Sequence, residues 1–139
     1  MKLDTKQKVL IAIYTEYQRD IPNIKEEVTY KKLGIEPEEF KIAIIKLENE
    51  LLITGTGMPK SKTHTWGVFC VMLDNTKMTP YGIEYVENKL GIEKTLSGVE
   101  KVQEIFKKSA NWGWKESKDI IVKVLSEMGK HGMDKALGD

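Results

Sequence analysis

Lys60-Ser61-Lys62-Thr63-His64-Thr65 is the stretch of this chain whose residue types could do chemistry. Two ammonium groups, an imidazole and three hydroxyls in one short segment offer positive charge and hydrogen bonds to phosphate oxygens. Residues 54–66 contain no acid, and Gly55, Gly57 and Pro59 precede the lysines, so the backbone itself can come close to a ligand. The competing reading is a solvated hairpin tip, which charged loops commonly are. Covalent and metal chemistry find less support. Cys70 lies within Val68-Phe69-Cys70-Val71-Met72, an apolar run that predicts a buried, inert thiol. His64 and His131 are far apart, and neither has a metal-ligand partner at a recognisable spacing. No nucleophile elbow, phosphate-binding loop or dinucleotide fingerprint occurs. Glu26-Glu27 and Glu38-Glu39 fall at helix starts and turns, where they complement the helix dipole. No catalytic residue, metal ligand or cofactor is assigned, and the chain is not read as an enzyme.

Composition narrows the partners. The 139 residues suit one domain with an appendage. A single cysteine excludes an internal disulfide and points to a reducing compartment. Met1-Lys2-Leu3-Asp4 opens no signal peptide, and no apolar run approaches the ~20 residues that span a bilayer. A soluble, cytoplasmic protein is expected. The 22 basic residues are matched by 21 acidic ones, unlike the basic excess of strong nucleic-acid binders. Arg19 is the only arginine, which counts against bidentate reading of bases.

A small α+β framework must position the basic loop. Residues 5–19 predict a first helix, with Val9, Leu10, Ile13, Tyr14 and Tyr17 on an apolar stripe and Asp4 as N-cap. Residues 24–29 could pair as a short strand. Tyr30-Lys31-Lys32-Leu33 makes one helical turn, ended by Gly34. Pro37, Glu38 and Glu39 open a longer helix that buries Phe40, Ala43, Ile44, Leu47 and Leu51. Short helix, tight turn and longer helix form a helix-turn-helix pattern. Residues 51–54 and 66–73 predict two strands around a polar loop, with Trp66 packed at the start of the second. Residues 74–76 then turn into a helix. Thr79 can cap it, Pro80 suits its first position, and Gly82 allows close packing; Ile83, Val86 and Leu90 recur at helical spacing before Gly91 stops it.

A hairpin that runs straight into a helix is the exit of a wing. The expected fold is therefore an α+β winged helix-turn-helix, three helices plus a β-hairpin wing, over residues 1–92. Residues 93–139 form a C-terminal helical extension. Its helices are predicted over 97–108 and 116–128, the second burying Ile120, Ile121, Val124, Leu125 and Met128, with a frayed tail from Gly129.

The sequence resembles the YjcQ family of small winged-helix proteins from Gram-positive bacteria and their prophages. Gly34-Ile35, Phe40, Ala43-Ile44 and Leu47 carry the likeness, followed by Leu52-Ile53 and Gly55, then Met78-Thr79, Gly82 and Tyr85. It covers about residues 5–108, mostly at core and turn positions. The resemblance implies a winged helix. It carries no established activity and transfers no catalytic residue. Past about residue 109 the chain departs from the compact pattern with an additional tryptophan-flanked helix.

Two partner classes follow. In a DNA-binding winged helix the third helix enters the major groove, with its N-terminal end against the bases. Here residues 37–50 carry net charge −2, and Glu38 and Glu39 lie at that end. Ile42 and Ile45 suit a packed face better than a groove. Candidate contacts to double-stranded DNA are Lys31 and Lys32 before the turn, Lys41 and Lys46 on the helix, and Lys60, Lys62 and His64 at the wing tip. The rival partner is a second copy or another protein. Trp112 and Trp114, with Ile121 and Leu125 on the last helix, are the candidate interface, since buried tryptophans dominate binding energy. The same tryptophans could instead fold back over the wing-side core.

Overall fold

The computed structural model describes residues 2–138, with side chains described through Gly129. It is α+β: among the described residues, seven α-helices accompany one two-stranded antiparallel sheet, an arrangement compatible with a winged helix.

Helix α1, Thr5–Tyr17, is the centre of the molecule. Asp4 accepts from the Gln7 amide at 2.8 Å while the Gln7 side chain accepts from the Asp4 amide, so two orphan donors are satisfied reciprocally. Every residue from Val9 to Glu16 is buried. The predicted stripe is thus one side of a helix surrounded by others, which suits its all-round apolar sequence.

Residues predicted as a short strand form helix α2 instead, Ile24–Glu27. The buried Glu16 carboxylate of α1 accepts from the Asn23 amide at 2.7 Å and fixes the start of the turn, and Glu26 and Glu27 suit the positive end of a helical turn. Helix α3, Tyr30–Leu33, is capped by Thr29 and closed by Gly34 in the left-handed region. At Gly34 the Glu116 carboxylate occupies the space a Cβ would need. Helix α4, Pro37–Asn49, then buries Phe40, Ala43, Ile44 and Leu47 against α1.

The hairpin differs from expectation in its return arm. Strand β1, Ile53–Thr54, pairs with β2, Lys77–Met78, rather than with residues 66–73. Ile53 faces Met78 and Thr54 faces Lys77. Between them only the isolated bridges Gly57–Met72 and Lys60–Val68 join the arms. Successive partners step unevenly, with more residues on the return arm than on the outgoing one. Such insertions bulge a strand and break its ladder. A short 3-10 turn, Thr65–Gly67, closes the tip.

Helix α5, Pro80–Leu90, begins as its sequence implies. Thr79 Oγ1 accepts from the Gly82 amide at 2.8 Å and donates to the Leu51 carbonyl at 2.6 Å. A Cβ at Gly82 would collide with the Leu52 carbonyl, so glycine lets α5 lie directly on the chain entering β1. Helix α6, Gly98–Ser109, opens with a Ser97–Glu100 capping box. Helix α7 is Ser117–Gly138, running past Met128, where the sequence predicts its end. One continuous apolar core takes in Val9, Ile13, Ile44, Leu47, Ile53, Val86, Val102, Ile105, Trp112, Trp114 and Ile121, so α6 and α7 share it with α1, α4 and α5.

Candidate nucleic-acid interface

The hairpin tip is ordered by its own backbone. The Ser61 amide donates to the Gly67 carbonyl at 2.9 Å, the Gly67 amide to the His64 carbonyl at 2.9 Å, and the Phe69 amide to the Pro59 carbonyl at 2.8 Å. Ser61 Oγ lies 2.6 Å from His64 Nδ1. The His64 ring meets Phe69 edge-on, with centroids 5.0 Å apart and planes at 85°. Lys60, Lys62 and His64 are all exposed on this frame, and none of the ion pairs among the described residues involves Lys60 or Lys62. The acid-free run extends from Leu51 through Leu73.

Three apolar side chains share the hairpin surface: Trp66 is 59% exposed, Phe69 56% and Met72 48%. Trp66 is therefore not the packing residue its position predicts. It has φ 54°, in the left-handed region that only a few percent of non-glycine residues adopt. The sequence contained a signal for this. A two-stranded sheet with one covered face cannot bury all of Val68-Phe69-Cys70-Val71-Met72, so some of that run had to face water.

The hairpin is tied to α4 close to its tip, at Val68, which bridges to Lys60. Lys41, predicted to face a DNA groove, is buried, and its Nζ donates to the Val68 carbonyl at 3.0 Å. It also pairs with Glu38 at 3.1 Å. The Thr65 hydroxyl, with Lys41 beside it, holds the Glu38 carboxyl below the usual carboxylate range. The ammonium of Lys41 is thus used within the fold. The first turn of α4 presents Glu38 and Glu39 next to the return arm.

The remaining candidates are dispersed. Lys46 is exposed on α4. Lys31 and Lys32 line a different cleft, of about 360 Å³, between α1 and α7. Lys32 Nζ is committed there to the Glu26 carbonyl at 3.0 Å and the Glu27 carboxylate at 3.1 Å. Lys123 of α7 donates to the other Glu27 oxygen at 2.6 Å.

The predicted protein interface is largely internal. Trp112 and Trp114 are only 4% and 5% exposed, and Ile121 is buried with them; Leu125 is half-buried against the same core. The tryptophans do fold back, but Trp114 packs on the helix-turn-helix, not the wing side: its Nε1 donates to the Leu33 carbonyl at 3.0 Å. Lys8 Nζ lies 5.9 Å from the Trp114 ring centroid, within cation–π range.

Among the described residues no cluster of three or more His, Cys, Asp or Glu side chains could hold a metal ion, and no helix is long and apolar enough to cross a membrane. His131 lies outside the residues whose side chains are described. No curated protein and no solved structure matches this chain. The YjcQ protein family matches residues 7–105, from the first turn of α1 to within α6. With more than half of its length matched, the chain belongs to the YjcQ family.

Proposed function

We propose that this chain is a cytoplasmic winged-helix protein that binds nucleic acid through its wing rather than by inserting α4 into a groove. The observation that carries this reading is the wing itself: an acid-free hairpin holding Lys60 and Lys62 exposed and outside every ion pair among the described residues. Such lysines are available to neutralise phosphates and release counterions. Groove readout by α4 is disfavoured by its own chemistry. Its N-terminal turn carries two carboxylates, and its nearest lysine is consumed by the Val68 carbonyl. The role is binding and regulation, with no reaction assigned.

Fluorescence anisotropy with a labelled random duplex, repeated at rising salt, tests the proposal. Affinity should fall steeply, with a logarithmic slope near −0.9 for each phosphate neutralised. Lys60→Glu with Lys62→Glu should abolish binding. Unchanged affinity in that double variant would overturn the proposed site.

A second reading, a protein-interaction or dimerisation module, is favoured by the exposed Trp66, Phe69 and Met72, since aromatic residues and methionine are enriched at interfaces. Light scattering after gel filtration tests its homodimer form. A monomer at every concentration removes self-association.

A further inference from the structure

We infer that the wing tip is a stacking platform for unpaired bases, so that the preferred ligand is single-stranded or locally melted nucleic acid rather than intact duplex. The inference deepens the wing-phosphate reading and rests on it.

The first observation is exposure with order. Trp66 and Phe69 present most of their rings to solvent, yet the turn that carries them is closed by the backbone hydrogen bonds from Ser61 to Gly67 and from Gly67 to His64. Trp66 itself occupies the left-handed region, a conformation that persists only where surrounding structure enforces it, and that occurs preferentially at functional sites. Phe69 is steadied by the edge of His64, and His64 in turn by Ser61. The backbone that carries both rings, and the Phe69 ring itself, are held in place before any ligand arrives.

The second observation is charge. Lys60 and Lys62 flank the same turn, and no acid lies between Leu51 and Leu73. One carboxylate of α4, Glu38, lies against the tip turn, where Thr65 and Lys41 engage it. Aromatic faces beside free cations match a polyanion that offers both phosphates and rings.

The third point separates single strand from duplex. In a duplex the base faces are already stacked, and a protein reaches only their edges through the grooves. The element that would read those edges, α4, opens with Glu38 and Glu39. A single strand exposes the base faces themselves, and a positively charged surface with aromatic residues is the usual way to bind it.

The test compares a labelled oligothymidylate with a random duplex of equal length, by anisotropy at one fixed low salt. The single strand should bind more tightly. Trp66→Asn keeps a residue that tolerates the left-handed turn, so its melting temperature should stay near that of the parent chain. It should weaken oligothymidylate binding at least about five-fold, as loss of one stacking contact implies, and should leave the weaker duplex binding nearly unchanged. Trp66→Phe should restore most of the affinity. Trp66 is the only exposed tryptophan, since Trp112 and Trp114 are buried; oligothymidylate should therefore quench intrinsic fluorescence in the parent and not in Trp66→Asn. Equal affinity for the two ligands, or full affinity in Trp66→Asn, would overturn the stacking inference while a loss in the Lys60→Glu, Lys62→Glu variant left the phosphate reading standing. No binding of either ligand would overturn both. A dimer that Trp66→Asn converts to monomer, with no oligonucleotide bound, would assign the patch to protein contact instead.

Discussion

The ammonium of Lys41, on the first turns of α4, donates to the carbonyl of Val68 on the return arm of the hairpin at 3.0 Å, and both residues are buried. One lysine therefore ties the hairpin to α4. The return arm has few ladder hydrogen bonds of its own, so a charged hydrogen bond from the helix beneath replaces part of what a regular strand would provide.

Lys41→Ala should loosen the wing. Losing a hydrogen bond from a charged donor costs about 1.5–3 kcal/mol, and the substitution leaves the Val68 carbonyl without its donor. The expected result is a lower urea midpoint and faster proteolytic cleavage within residues 55–73, with the helical circular dichroism retained. A cleavage rate equal to that of the parent chain would show that the wing is held by other contacts.

Glu87 joins three helices. Its Oε2 accepts from Tyr14 Oη at 2.8 Å and from Lys101 Nζ at 2.7 Å, bringing α1, α5 and α6 to one buried carboxylate. Glu87→Ala removes the shared acceptor and strands a largely buried ammonium. Breaking a buried pair from one side costs about 3–5 kcal/mol. Lys101→Met should cost a similar amount, because it strands the more deeply buried Glu87 carboxylate, whose charge the neutral Tyr14 hydroxyl does not offset. Denaturant unfolding of the two variants measures both losses.

The same contact predicts an alkaline limit. Burial, reinforced by the hydrogen bond to Glu87 and its negative charge, pushes the Tyr14 phenol far above its ordinary value. A folded-state value raised above the unfolded one gives stability that is complete below the unfolded value, about 10, and declines as pH rises past it. Ultraviolet titration of tyrosinate should show Tyr14 ionising only as the fold is lost. Tyr14→Phe should flatten this decline.

Acid should act on the clamp between α2 and α7. Burial of Glu27 opposes its charge, but hydrogen bonds from Lys123 and Lys32 outweigh that and leave its carboxyl below the ordinary range. A lowered folded-state value gives stability that is present above the unfolded value, about 4.3, and is lost as pH falls through the folded one. Glu27→Gln should therefore be less stable than the parent near neutral pH. The two should converge only as pH falls below the lowered folded-state value of Glu27, as followed by thermal melts in acid.

Trp114 supplies the link between α7 and the helix-turn-helix. Trp114→Phe should lose about 1 kcal/mol with the hydrogen bond to Leu33, and Trp114→Ala about 3–5 kcal/mol with the buried ring. Neither should alter the oligomeric state seen by light scattering, because the ring is spent inside the chain. A change of association with unchanged stability would return Trp114 to the surface.

What could be read along the chain was governed by neighbours a few residues apart. Asp4 with Gln7, Thr79 with Pro80 and Gly82, and the left-handed stops at Gly34 and Gly91 set helix ends through backbone groups within one turn. Helical spacing identified most of the buried face of α4 because Phe40, Ala43, Ile44 and Leu47 lie on one side of any helix they form, but Leu51, read as part of that face, lies beyond the helix end with φ 65° and is 69% exposed. Local chemistry failed where a distant partner decided the outcome. Residues 24–27 became a helical turn beside the buried Glu16 of α1. The strand register moved to Lys77–Met78 because bulges between Gly57–Met72 and Lys60–Val68 depend on the pairing of two arms. Lys41 went inside because Val68 lay above it, Trp112 and Trp114 went inside because α7 folds against α1, and Trp66 stayed outside because a two-stranded hairpin has no second layer to cover it. Sequence spacing determines which faces an element has; which of them is covered is decided only when chain segments far apart in sequence meet.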